Sequence, residues 1–135
     1  MADNQEYKHK VVLLVDDSEV DNFINERMIV TSMFSRKVVV KTSCDEALAY
    51  LKSISPSDQD FPTVIFLDLN MPDKNGFDFL AEYDQFDDSV KNAMRVVVLS
   101  SSISPEDINK ASSNPHVAKY INKPLSEKYL EAIHF

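Results

Sequence analysis

Five short runs of Val, Ile and Leu set the tightest limit on what this chain can fold into. They fall at 10–15, 37–41, 63–68, 95–99 and 117–121. Each is shorter than a packed helix and too continuously apolar for a strand with one wet face. Strands of this kind are buried on both sides, so helices must lie above and below them. The intervening segments supply them. Val20, Phe23, Ile24 and Met28 recur at helical spacing, as do Ala47, Leu48 and Leu51, then Phe77, Leu80 and Ala81, and finally Leu125, Tyr129, Leu130 and Ile133. A stretch over 105–113 is weaker, with only Ile108 and Ala111 clearly apolar. Start signals agree: Asp17 or Ser18 can cap the first helix, with Asp21 in its first turn. Ser104-Pro105-Glu106-Asp107 reads as a cap, a proline at the first helical position and acids at the positive dipole end. Five strands alternating with five helices, and nothing left over, predict an α/β domain with a doubly wound, five-stranded parallel sheet. Val38-Val39-Val40, the shortest run and flanked by lysines, suits an edge strand.

A length of 135 residues fits one domain with a real core. The formal charge of −8 argues against direct nucleic-acid binding, which relies on cations neutralising phosphates. No apolar run approaches the ~20 residues of a membrane span. Residues 1–10 are polar and carry both charge signs, unlike a secretory leader, so the expected location is the cytoplasm. The lone Cys44 has no internal disulfide partner and reads as a small, half-buried packing residue near a helix start. His9, His116 and His134 read as surface residues. The only glycine, Gly76, reads as a turn position requiring φ > 0.

The strand ends carry the chemistry. The first run ends in Asp16-Asp17, the third in Asp68, and the fifth leads through Asn122 to Lys123-Pro124. In a parallel sheet these groups meet at the carboxyl edge, where open α/β sheets place ligands. Helix capping explains one acid there but not three. Crowded carboxylates raise one another's energy, and a bound Mg²⁺ relieves them because it prefers oxygen ligands. A strand-tip carboxylate such as Asp68 can attack phosphorus to form an acyl phosphate. Lys123 supplies a point charge, and Ser100, at the end of the fourth run, supplies a hydroxyl donor.

These residues resemble the receiver domain of two-component response regulators, over roughly residues 8–133. The matching elements are Leu14-Val15-Asp16-Asp17, Leu67-Asp68-Leu69-Asn70-Met71-Pro72 with Gly76 following, Ser100 after a Val-rich strand, and Tyr120 three residues before Lys123-Pro124. Asp45-Glu46-Ala47-Leu48 also looks like the family's second helix. The resemblance implies a flavodoxin-like (βα)5 fold with strand order 2-1-3-4-5 in a single, stand-alone domain over 1–135 with no effector domain. It implies that Asp68 is the phosphoacceptor, charged from a phosphohistidine on a sensor kinase or phosphotransfer protein. Mg²⁺, or Mn²⁺ in its place, would be held by Asp17, Asp68 and the Asn70 carbonyl, with Asp16 acting through water or orienting its neighbour. Lys123 would pair with Asp68 and then with the phosphoryl group. Ser100 would swing to a phosphoryl oxygen and Tyr120 would follow it inward. The Lys123-Pro124 bond would be cis. The last two helices and the fifth strand would form an output face for a downstream protein target, and the only catalysis would be the domain's own phosphorylation and dephosphorylation. Ser100 stands where the family often has threonine and Ser101 where alanine or glycine is usual. Asn70 and Ser102 occupy positions that tune loss of the phosphoryl group.

Two other readings compete. A Mg²⁺-dependent phosphatase with an aspartate nucleophile expects a second acid two residues on, where this chain has Asn70. A docking module with an inactive site has no need to keep three acids together.

Overall fold

The computed structural model describes residues 6–135; residues 1–5, half of the polar segment on which the expectation of no secretory leader rests, lie outside the described residues. The strands are β1 His9–Val15, β2 Ser35–Lys41, β3 Val64–Leu67, β4 Arg95–Ser100 and β5 Val117–Asn122. The helices are α1 Glu19–Thr31, α2 Cys44–Ser53, α3 Gly76–Tyr83, α4 Asp88–Ala93, α5 Pro105–Ser112 and α6 Glu127–Glu131. All strand pairs are parallel and the sheet runs β2-β1-β3-β4-β5. β2 is the edge, as expected, but it is not the shortest strand; the four-residue β3 is.

Alternation along each strand divides the core. Leu13, Val15, Ile65, Leu67 and Val96 pack with Leu48, Leu51, Phe79 and Tyr83 of α2 and α3. Val12, Leu14, Val64, Phe66 and Val97 face the other way, onto Ile29 of α1 and Leu130 of α6. The weakly apolar α5 buries only Ala111.

Several expectations need correction. An unforeseen helix, α4, lies between α3 and β4. Its six residues bury only Val90, too few to write a period into the sequence. Most of the α1 stripe faces solvent, with Val20 68% exposed, Phe23 64% and Ile24 49%, while Met28 packs half-buried against the core. Asn22, Asn25 and Ile29 face inward instead. The Ser18 cap and a 2.8 Å bond from the Asn22 amide to the Asp16 carbonyl fix that rotation. In α3 the buried positions are Gly76, Phe79, Leu80 and Tyr83, whereas Ala81 is exposed. Tyr129 is likewise exposed on α6.

His9 is buried rather than superficial. Its ring lies 4.8 Å from that of Phe34, and its Nδ1 is 2.7 Å from Thr63 Oγ1. Burial, aided by the neighbouring Lys8 charge, holds its pKa below the ordinary histidine value. His116 Nε2 pairs with Asp84 Oδ1 at 2.7 Å, and His134 is exposed. Cys44 is fully buried, which pushes its thiol up to about 11. Gly76 does not have a positive φ; those angles occur at Met33 and Asp73. Its lack of a side chain is required by space, because a Cβ there would lie 2.7 Å from the Asp68 carbonyl oxygen.

Candidate functional site

The carboxyl edge of the sheet gathers the acids because the β1–β3 ladder runs one residue past the strands. The Asp68 N–H donates to the Val15 carbonyl at 3.0 Å, which sets Asp68 beside Asp16. Asp16 is itself fixed three ways. Its N–H donates to the Lys41 carbonyl at 3.1 Å, its Oδ1 accepts the Ser18 N–H at 3.0 Å, and its carbonyl accepts the Asn22 amide. Asp16 and Asp68 are buried and Asp17 is exposed. One carboxylate oxygen from each of the three lies within 4.8 Å of the others.

Lys123 reaches into this cluster from the end of β5. Its N–H donates to the Ser100 carbonyl at 2.9 Å, and its bond to Pro124 is cis. The ammonium lies 2.5 Å from Asp16 Oδ2, 2.9 Å from Asp21 Oδ2 and 3.8 Å from Asp68 Oδ1. Burial opposes the Lys123 charge, but the bonds to Asp16 and Asp21 outweigh it and raise its pKa. The contact with Asp68 is the longest of the three, and Asp68 Oδ1 is buried with no hydrogen-bond partner. Burial pushes the Asp68 carboxyl up to about 6, the Asp16 charge adds to that, and Lys123 and the Asn70 N–H only partly offset it.

Ser100 closes β4 and is fully buried; its Oγ accepts the Ser102 N–H at 3.1 Å. Beyond it the chain is pinned to β5. The Tyr120 hydroxyl donates to the Ser102 carbonyl at 2.9 Å and the Asn122 amide donates to the same oxygen at 3.0 Å. Asn70 is exposed just past Asp68, and Gly76 packs against the Asp68 peptide from the start of α3. Asp21 and Asn122 join the site beyond the residues that the sequence alone assigns to it. The one signal for Asp21 is its place in the first turn of α1, four residues after Asp17, which by itself marks only an acid at the helix dipole.

The donor set fits a hard divalent cation. Three carboxylates converge, one buried oxygen lacks a partner, and among the described residues Lys123 is the single ammonium bonded within the cluster. The raised Asp68 pKa has a measurable consequence. Between the unfolded value of 3.8 and about 6, the folded chain binds more protons at Asp68 than the unfolded chain does. The Asp68 contribution to the stability of the metal-free protein therefore falls as pH rises through that window and levels off above it. The difference in melting temperature between the parent and Asp68→Asn, in chelator, isolates this contribution from His9 and other groups. That difference should widen from pH 4 to 6 and shrink again in millimolar Mg²⁺. A difference that stays flat in pH would remove the burial argument.

Residues 12–134 match the family of response regulator receiver domains. Response regulator Rcp1 of Synechocystis is 34% identical over 122 residues, covering 90% of this chain and 81% of its own length. A structure of the Mn²⁺-bound form of Rcp1 aligns with a TM-score of 0.69 at 32% identity, over 90% of this chain and 86% of that one. A two-component response regulator from Cytophaga hutchinsonii aligns at 0.83 and 31% identity, over 94% and 93%. The phosphorylated cyanobacterial phytochrome response regulator RcpA aligns at 0.72 and 35% identity, over 90% and 86%.

Proposed function

The chain belongs to the response regulator receiver domain family of two-component signalling, and from that membership we propose that it is a switch whose Asp68 accepts a phosphoryl group from a phosphohistidine. The observation that carries this reading is the buried, unpartnered Asp68 Oδ1 inside an acid cluster with one lysine. An Asp68 oxygen attacks phosphorus in line. The O–P bond forms as the P–N bond to the donor imidazole breaks, and the released ring nitrogen takes up a proton. Lys123 turns from its carboxylate partners to the phosphoryl oxygens. The Ser100 hydroxyl, which accepts from the Ser102 N–H, still has its own proton to donate to them. Asp17, Asp68 and the Asn70 carbonyl would hold Mg²⁺, or Mn²⁺ in its place, with Asp16 acting through water or orienting its neighbour; the ion would neutralise charge on the transferred group. Attack of water on the same phosphorus releases phosphate and restores Asp68. These are the only reactions the chain catalyses. Support comes from relatives with a Mn²⁺-bound form, Rcp1, and a phosphorylated form, RcpA.

The donor is a sensor histidine kinase or a histidine phosphotransfer protein. It must bring a ring nitrogen to Asp68, so it must lie against the sheet's carboxyl edge. There a groove of about 290 Å³ between α1 and the turn after β5 is lined by Asp21, Ile24, Asn25, Ser101, Lys123 and Pro124. Ile24 lines that groove, and with Val20 and Phe23, also exposed on α1, it gives the donor an apolar seat. Replacing Phe23 by Asp should slow transfer from the cognate protein donor at least about tenfold, the scale of an interface hot spot. Charging by acetyl phosphate should stay unchanged, since a small donor needs no docking face. Equal slowing with both donors would mean that the acceptor site itself was damaged.

The output is a population shift read by a downstream protein. Phosphorylation favours the arrangement in which Ser100 and Tyr120 face the site, through contacts made only in that state. α5, β5 and α6 carry the change outward. No described helix is long and apolar enough to cross a membrane, and the working location is the cytoplasm, with no nucleic-acid contact. Intact mass after incubation with phosphoramidate and Mg²⁺ tests the whole reading. A gain of one phosphoryl group, labile to hydroxylamine, is the expected result; a folded chain that gains none from small or protein donors is an inactive docking module.

A further inference from the structure

Lys123 has an additional partner that the phosphorylation chemistry does not require. Asp21 projects from the first turn of α1, and its Oδ2 lies 2.9 Å from the Lys123 ammonium, nearer than the 3.8 Å to Asp68 Oδ1. Asp21 stands outside the group of carboxylates whose oxygens converge, which is Asp16, Asp17 and Asp68. A cation bound by those three therefore competes with Lys123 for Asp16 but leaves Asp21 free to keep its hold. We propose that Asp21 is a positioning residue that holds Lys123 off the acceptor, so that Asp68 stays open to the metal and to phosphorus until the transferred group arrives. The proposal rests on the reading of Asp68 and Lys123 given above.

The alternative fate of the ammonium makes the logic plain. Without Asp21, the nearest unsatisfied acceptor is the buried, unpartnered Asp68 Oδ1. Lys123 is largely enclosed and has little solvent to turn to, with its side chain 14% exposed. An ammonium seated on Asp68 Oδ1 blocks the oxygen that the cation and the phosphorus both need. Asp21 is the more exposed partner, 39% against 6% for Asp68, so ion pairing with it costs less desolvation and is easier to surrender. The transferred phosphoryl group, with two negative charges near neutral pH, outcompetes one carboxylate for the same lysine.

Mg²⁺ affinity in a double-mutant cycle decides the matter. Asp21→Ala removes both the charge and the acceptor. In the parent background it should weaken Mg²⁺ binding by roughly three- to thirtyfold, because Lys123 falls onto Asp68. In a Lys123→Ala background the same substitution should change affinity by less than about twofold, since no ammonium is left to release. An equal loss in both backgrounds would mean that Asp21 acts only as a distant charge, and no loss in the parent would mean that it does not guard Asp68. Melting temperature without metal gives a readout independent of the ion. Asp21→Ala exchanges one carboxylate partner of Lys123 for another in the parent, so the shift there should differ from that in Lys123→Ala. The substitution should leave melting temperature unchanged or raise it in Lys123→Ala, where acid repulsion is relieved. A parent that binds no Mg²⁺ would overturn the metal reading instead, and the metal-free cycle would still judge Asp21: equal shifts in both backgrounds would overturn its pairing with Lys123.

Discussion

Asp68→Asn should abolish phosphoryl transfer and at the same time make the metal-free protein more stable. The first effect follows from chemistry, because an amide oxygen is a poor nucleophile and its phosphorylated product is not an acyl phosphate. The labile mass gain expected of the parent should fall to background with small and protein donors alike. The second effect follows from the site's electrostatics. The Asp68 carboxyl is buried, one oxygen has no partner, and burial with the adjacent Asp16 charge lifts its pKa from 3.8 to about 6. Near neutral pH the ionised form is therefore carried at a cost of about 1–3 kcal/mol, which the neutral amide does not bear. A rise of roughly 5–10 °C in melting temperature should result. Saturating Mg²⁺ should narrow the gap by stabilising the parent and not the variant. Persistent hydroxylamine-sensitive labelling would place the acceptor elsewhere. A variant less stable than the parent would show that the carboxylate is satisfied in solution, and the strained-acceptor picture would fall.

That pairing of lost activity with gained stability separates two uses of an acid cluster. Asp45 and Glu82 converge on Lys74 at 2.9 and 3.0 Å, an exposed arrangement in which each acid faces a cation. Surface pairs of this kind contribute little and cost little. The acids at the sheet edge share a single bonded lysine and are partly enclosed, so some of the folding free energy is withheld there until a ligand restores it. The competing phosphatase reading also requires an aspartate nucleophile, but Asn70 leaves it without the second acid two residues on.

The strands and their order of charged ends could be read from the chain because both signals are local. A run such as Val64-Ile65-Phe66-Leu67 is apolar at every position, and the break to Asp68 is abrupt. Burial on both faces leaves little room for another assignment. What could not be read was set by distant partners. Val20, Phe23 and Ile24 have helical spacing and would face a core if periodicity alone turned α1. The Asn22 bond to the Asp16 carbonyl turns it otherwise, and nothing in the spacing records that bond. Asp21 and Lys123 are 102 residues apart, so their contact exists only after β1 and β5 are both in the sheet. Likewise Asn122 reads as an ordinary strand-end residue until its amide meets the Ser102 carbonyl. The short α4 escaped for a different reason, since one buried residue makes no pattern.

Gly76→Ala is expected to damage both fold and site, for a reason that composition hints at and only packing explains. Gly76 has no positive φ, so alanine meets no backbone penalty of its own there. Helix propensity even favours alanine by up to about 1 kcal/mol. The opposing effect is larger. The new methyl would lie 2.7 Å from the Asp68 carbonyl oxygen and 2.9 Å from Leu69 Cα, distances that no Cβ sustains. Both atoms are backbone, so no rotamer change relieves them; the start of α3 must move off the end of β3. That motion strains the 3.0 Å bond from the Gly76 N–H to the Leu69 carbonyl and shifts the peptide that carries Asp68. Overpacking of this kind costs about 1–3 kcal/mol, and more where backbone cannot yield, so the net loss should be about 2 kcal/mol, or roughly 5–10 °C. Phosphorylation by phosphoramidate should also slow well below the melting temperature, because Asp68, the proposed acceptor, is displaced as well as the helix. An alanine variant as stable as the parent would show that α3 can slide freely at its start. One that is destabilised but charged at the parent rate would confine the glycine's role to packing and uncouple it from the acceptor.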